Sequence, residues 1–72
     1  MNIGNKLKSL RIEKNLEPLD MAIKIGVSET TYRRYERNEA SPDLNVLEKM
    51  AGALEKNVLD FLPDNVVFEN NN

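Results

Sequence analysis

Residues 16–42, LEPLDMAIKIGVSETTYRRYERNEASP, contain the features that decide the fold. Pro18 suits the first turn of a helix, because its fixed φ is already helical and its missing N–H would be unpaired there. Gly26 can end that helix in a left-handed conformation, and Ser28 is a good N-cap for another. The stretch therefore predicts a helix from Pro18, a short turn at Gly26 and a second helix that follows Ser28.

The second of these helices, predicted from Glu29 to about Arg37, has two different faces. At 100° per residue, Tyr32 and Tyr35 fall on one side, which we predict to pack in the core. The opposite side carries polar and cationic side chains: Thr30, Arg33, Arg34 and Arg37. A turn that contains glycine, followed by a helix with outward-facing arginines, is typical of a helix-turn-helix, whose second helix enters the major groove of DNA.

Apolar residues also recur at helical spacing before this stretch. Ile3, Leu7 and Leu10 predict one face of a first helix that ends near Asn15. Leu16 is then placed to turn back into the core.

After the stretch, Ser41-Pro42 repeats the pattern of a cap followed by proline and predicts the start of a fourth helix. Its predicted apolar stripe consists of Leu44, Leu47, Met50, Ala51 and Leu54. A short fifth segment contains Val58, Leu59, Phe61 and Leu62, and Pro63 ends it. The predicted fold class is all-α, a compact five-helix bundle with a central helix-turn-helix.

Length and composition exclude several classes of protein. The chain has 72 residues and a mass of 8.2 kDa, which allows one small domain. It contains no cysteine and no histidine, which excludes the zinc and haem sites built on those residues. Their absence also excludes the usual catalytic base and the most reactive nucleophile. The longest apolar run is three residues, far below the ~20 needed to cross a bilayer. We expect a cytoplasmic protein that is not an enzyme and has no cofactor, metal, small-molecule substrate or membrane partner.

Charge is distributed unevenly along the chain. Residues 1–38 carry eight Lys/Arg and five Asp/Glu, a balance of +3, whereas residues 39–72 carry two and seven, a balance of -5. The sum is the net charge of -2. A basic half allows one face to attract phosphate while the molecule as a whole stays acidic.

The order of residues from Leu16 to Pro42 resembles the Cro/C1-type (XRE) helix-turn-helix domain of phage repressors. The matching positions are Ala22, Gly26-Val27-Ser28, Glu36 and Pro42, with Leu7 to Arg11 and Leu44 to Leu54 resembling the flanking helices. The resemblance covers about residues 3–62 and implies a lambda-repressor-like domain, with residues 63–72 as a flexible C-terminal tail. It also implies sequence-specific binding of double-stranded operator DNA by a prokaryotic transcriptional regulator, a repressor.

The resemblance also implies roles for individual residues. The residues that would read bases or lie close to phosphate are Ser28, Glu29, Thr30, Thr31, Arg33, Arg34, Arg37 and Asn38. Within this set, Glu29, Thr30 and Arg34 occupy the base-reading positions, with Arg33 beside them. The family further pairs an arginine of the first helix with a glutamate late in the recognition helix, which implies a structural ion pair between Arg11 and Glu36.

Three positions depart from the family pattern. Glu17-Pro18 replaces the usual Ser/Thr-Gln at the start of the second helix, Glu39 replaces a common lysine, and Glu29 places a negative charge at the edge of the DNA-facing surface. An alternative function is therefore a helix-turn-helix that binds a protein partner, such as a toxin or another regulator, with weakened DNA contacts. The family commonly dimerises through the region after the fourth helix, here Val58 to Leu62, or through added C-terminal sequence. For this chain we expect weak association in isolation, and a homodimer on DNA or through a longer C-terminal region.

Overall fold

The computed structural model describes residues 3–61, and these form four α-helices followed by one short 3-10 helix. The α-helices are α1 (Gly4–Glu13), α2 (Pro18–Ile25), α3 (Glu29–Glu36) and α4 (Leu44–Leu54), and the 3-10 helix is Val58–Phe61. The all-α prediction is confirmed. The fifth predicted segment is a single 3-10 turn, and Leu62 and the predicted tail at residues 63–72 lie outside the described residues.

Side chains of all five helices meet in one core. α2 packs against both α3 and α4, while α1 packs against α3 and the 3-10 helix against α4. The largest fully buried side chains are Ile3, Leu7, Met21, Ile25, Tyr32, Met50, Leu54 and Phe61. Both predicted core tyrosines of α3 are buried, which confirms the phase assigned to that helix.

The ends of α2 and the start of α3 follow from local chemistry. Pro18 occupies the first turn of α2, and the Asp20 carboxylate accepts a hydrogen bond from the Glu17 N–H at 2.8 Å. Gly26 ends the helix in the left-handed region, with φ of 76°. The Ser28 hydroxyl then accepts a hydrogen bond from the Thr31 N–H at 3.1 Å. These contacts fix a turn of only three residues between α2 and α3.

The predicted start of α4 was wrong. Ser41-Pro42 does not cap the helix, because the Asp43 carboxylate accepts a hydrogen bond from the Val46 N–H at 2.9 Å and α4 begins at Leu44. Leu44, predicted in the buried stripe, is 64% exposed. As the first residue of the helix it comes before the turn that packs on the core.

α3 also ends one residue earlier than predicted, with Arg37 as its C-cap.

No helix in the part of the chain that the structure describes combines the length and apolarity needed to cross a membrane.

Candidate nucleic-acid interface

α3 presents a polar, cationic face on the side away from the core. Tyr32 and Tyr35 point inward, whereas Thr30, Arg33 and Arg34 are exposed on the opposite side. This division follows from the helical period, because residues three and four apart share a face.

The first turn of α3 is held by two hydroxyl groups. The Ser28 hydroxyl donates to the Thr31 hydroxyl at 3.0 Å and also accepts from the Thr31 N–H. Both side chains are therefore fixed at the start of the helix, where backbone N–H groups favour an anion. This arrangement is compatible with the phosphate contacts that the resemblance implies for these two residues.

Glu29 and Arg33 form an ion pair along the exposed face. The Nε and Nη2 atoms of Arg33 donate to Oε2 of Glu29 at 2.9 and 2.6 Å. The two residues are one helical turn apart, the spacing at which such pairs meet. The negative charge of Glu29 is thus neutralised within α3.

Arg34 and Arg37 supply the remaining positive charge of this surface. Arg34 is exposed and takes part in no ion pair among residues 3–61. Arg37 lies 4.0 Å from the Glu39 carboxylate, at the limit of an ion pair, and both side chains are exposed. Arg34 is consequently the cation of α3 with the greatest freedom to meet an external partner.

The structure brings Arg11 and Glu36 together beneath this surface. Arg11 Nε lies 2.6 Å from Glu36 Oε2, and the two side chains are 9% and 10% exposed. The Arg11 Nη1 group also donates to the Leu16 carbonyl at 2.7 Å, and the Tyr32 hydroxyl donates to Glu36 Oε2 at 2.5 Å. Every buried polar side-chain atom in the described residues has a hydrogen-bond partner.

This network shifts the pKa values of two of its members. The hydrogen bond to Glu36 raises the pKa of the Arg11 guanidinium above its ordinary value, so Arg11 stays charged. Burial, reinforced by the hydrogen bond to Glu36, raises the pKa of the Tyr32 hydroxyl. The network therefore joins α1 to α3 through a cation, an anion and a neutral phenol.

Asn38 has a contact that sequence reasoning missed. It adopts a left-handed conformation, with φ of 60°, and its side-chain carbonyl accepts a hydrogen bond from the Gly4 N–H at 3.0 Å. The backbone of Gly4 passes so close to α3 that an added Cβ would lie 2.1 Å from the Glu36 carbonyl oxygen. The side-chain oxygen of Asn38 is thus used within the fold, and the sequence signal for this contact was the glycine at the start of α1.

A polar groove of about 490 Å³ lies between α1, the start of α2 and the end of α3. It is lined by Asn5, Lys8, Arg11, Pro18, Arg33, Glu36, Arg37 and Asn38. Asn5 and Lys8 were not among the predicted site residues, although the excess of positive charge in residues 1–38 pointed to this half of the chain. Within the described residues, no cluster of acidic side chains is arranged to hold a metal ion. Four cationic side chains, those of Lys8, Arg11, Arg33 and Arg37, thus line the groove together with one carboxylate, that of Glu36.

Comparison with known proteins agrees with this geometry. The family model described as helix-turn-helix matches residues 7–61. The chain belongs to the helix-turn-helix family. The match begins within α1 and continues through the 3-10 helix, so it includes both helices of the motif and the elements that pack on them.

Two curated relatives of this helix-turn-helix chain are phage repressors. This chain is 40% identical over 48 residues to the cryptic phage CTXphi transcriptional repressor RstR of Vibrio cholerae, and the match covers 67% of this chain and 43% of the relative. It is 35% identical over 54 residues to the immunity repressor protein of Bacillus phage phi105, covering 75% of this chain and 38% of the relative. The chain thus spans less than half the length of these relatives. No solved structure matches it significantly.

Proposed function

We propose that this helix-turn-helix domain binds operator DNA as part of a prokaryotic transcriptional repressor. The observation that carries the proposal is the exposed face of α3, where Thr30, Arg33 and Arg34 project from the second helix of the motif. The relatives described as repressors support the same function. The role is regulatory rather than catalytic, and it belongs in the cytoplasm, where prokaryotic DNA lies.

In the proposed complex, α3 lies in the major groove. Arginine pairs best with guanine O6 and N7, and the threonine methyl group contacts the methyl group of thymine, so Arg34 and Thr30 read base edges. Ser28, Thr31 and Arg37 lie close to phosphates and set the register of the helix. Two copies bind half-sites about one helical turn apart, as is usual for helix-turn-helix dimers.

Selection from a random pool of DNA duplexes, followed by gel shifts at several salt concentrations, tests this function. We expect the unmodified chain to recover one preferred sequence and to bind it less tightly as salt rises, because phosphate contacts release counterions. Arg34→Ala should weaken binding to that sequence by about 1–3 kcal/mol.

Lys49→Ala is the matched control, because it removes one exposed positive charge that belongs to α4 and not to α3. It should leave the affinity for the selected sequence close to that of the unmodified chain. Equal binding by the Arg34 variant and the unmodified chain, or no sequence recovered, would contradict the proposal. The second result would favour a helix-turn-helix that binds a protein partner.

A further inference from the structure

The Glu29–Arg33 pair uses only part of the hydrogen-bonding capacity of its two side chains. Both donors of Arg33 go to the same oxygen, Oε2 of Glu29. Among residues 3–61, Oε1 of Glu29 and Nη1 of Arg33 make no hydrogen bond. The pair therefore presents a free acceptor beside a free donor, with the Glu29 side chain 37% exposed and that of Arg33 51% exposed.

The pair contributes little to the stability of α3, because both partners are exposed and such pairs are weakened by solvent and salt. Its electrostatic effect on a DNA-facing surface is larger. An isolated glutamate there would be repelled by phosphates, whereas the Glu29–Arg33 pair as a whole carries no net charge. Arg33 thus allows Glu29 to approach a nucleic acid and fixes the direction of its free oxygen.

An acceptor beside a donor matches the hydrogen-bonding pattern of a C·G base pair in the major groove. Cytosine offers the N4 amino group as a donor, and guanine offers O6 and N7 as adjacent acceptors. A guanidinium can span those two acceptors, because it retains further N–H groups after pairing with a carboxylate. In an A·T pair, adenine also offers an amino group as a donor. Its partner thymine has only one acceptor in the major groove, O4, which lies beside a methyl group.

We propose that Glu29 and Arg33 act as one unit that selects a C·G base pair, with Glu29 Oε1 accepting from cytosine N4 and Arg33 Nη1 donating to guanine O6. Arg33 is in addition the positioning residue for Glu29. This inference rests on the proposed function, since it requires α3 to lie in the major groove.

The test is a double-mutant cycle on the DNA sequence recovered by pool selection with the full chain. At one position of each half-site, the unmodified chain should prefer C·G over the other pairs by roughly 5- to 150-fold. Glu29→Gln should shift that preference towards A·T, because glutamine pairs best with adenine. Arg33→Ala should reduce the preference for C·G to about threefold or less. The double variant should lose no more of this preference than the Arg33 variant, since the two residues act together.

Glu39→Gln is the control for charge alone, because it removes an exposed carboxylate that lies beyond the end of α3. It should tighten binding to all duplexes and leave every base preference unchanged. Thermal unfolding of all variants should match that of the unmodified chain, which separates a recognition effect from loss of the fold.

The failure of this inference differs from the failure of the proposed function. A recovered sequence whose preferences are unchanged in Glu29→Gln, or effects of the two substitutions that simply add, would overturn the C·G assignment while leaving DNA binding intact. Recovery of no sequence by the unmodified chain would overturn both.

Discussion

Gly4 lies where the start of α1 passes closest to the end of α3. A Cβ at this position would lie 2.1 Å from the Glu36 carbonyl oxygen and 2.9 Å from the Asn38 side-chain oxygen. The first of these atoms belongs to the backbone and cannot move without shifting α3. Gly4→Ala should therefore lower the free energy of unfolding by about 1–3 kcal/mol or more, as other overpacked sites do. Urea unfolding followed by circular dichroism measures the change.

Gly52 provides the control for this substitution. It lies inside α4, and beyond the adjoining backbone of its own helix no atom lies within 4 Å of the position its Cβ would take. Gly52→Ala should stabilise the domain by up to about 1 kcal/mol, because alanine is the better helix former. Equal stabilities of the two alanine variants would show that Gly4 is not a close-contact position.

Glu36 is the shared partner of Arg11 and Tyr32 in the buried network. Glu36→Gln should destabilise the domain by about 3–5 kcal/mol, because it leaves the buried guanidinium without its counter-charge. Since small domains are stable by only about 5–15 kcal/mol, this variant should be close to unfolding at room temperature. Chemical unfolding of the variant beside the unmodified chain measures the loss.

The exposed pair between Lys14 and Glu55 is the matched comparison. Glu55→Gln removes the same charge from a side chain that solvent reaches freely, so its melting temperature should stay close to that of the unmodified chain. A similar loss of stability in both glutamine variants would show that burial does not decide the energetics of these pairs.

At the scale of helices, the structure assigns the cap of α4 to Asp43. Asp43→Ala should cost about 1 kcal/mol, because the Val46 N–H loses its acceptor. Ser41→Ala, which removes the cap that the sequence pattern predicted, should leave the stability nearly unchanged. Thermal unfolding of the two variants compares the positions directly, and a larger loss for the Ser41 variant would restore the sequence-based assignment.

The order, type and approximate bounds of the helices could be predicted from the sequence because each rests on local signals. The predicted local roles are confirmed for Pro18 at the start of α2, Gly26 at its end and Ser28 as the cap of α3. Each role depends only on neighbouring residues, because it rests on a fixed φ, a left-handed φ or a capping hydroxyl. The cap predicted at Ser41-Pro42 was wrong because Asp43 is an equally good cap and lies nearer to the turn of α4 that packs on the core. Sequence patterns do not rank two candidate caps that lie only two residues apart.

Long-range contacts were harder to predict from the sequence. The hydrogen bond between Gly4 and Asn38 joins residues 34 positions apart, and no periodic pattern indicates it. Glu29 and Arg33 have the spacing at which ion pairs form along a helix, but which oxygen is used and which is left free depends on rotamers that the sequence does not specify. The Arg11–Glu36 pair came only from the resemblance to a known family.

At the scale of the whole molecule, the exposed large apolar side chains are spread over four elements. In the described residues they are Ile12, Leu19, Ile23, Leu44 and Leu59. Of these, only Leu19 and Ile23 lie one turn apart on the same helix, whereas a stable interface buries about 800 Å² on each partner. We therefore expect this chain to be a monomer at micromolar concentration and to pair on DNA with two half-sites.

Sedimentation velocity, with and without a duplex that carries both half-sites, checks this expectation. The free chain should sediment as one copy, and the complex should contain two. A tight dimer of the free chain at low micromolar concentration would contradict the prediction.

The buried Tyr32 hydroxyl links folding to proton retention in alkaline solution. In the unfolded chain this phenol loses its proton near pH 10, but in the folded domain its pKa is raised by burial and by the hydrogen bond to Glu36. The resulting stabilisation is complete below about pH 10 and declines as the pH rises further, by about 1.4 kcal/mol per pH unit. Unfolding of the unmodified chain and of Tyr32→Phe from about pH 8 to about pH 11 should show the difference in their stabilities shrinking above pH 10. Parallel curves would contradict this linkage, whereas converging curves would show that the hydroxyl that supports the buried Glu36 carboxylate also sets an alkaline limit on the folded state.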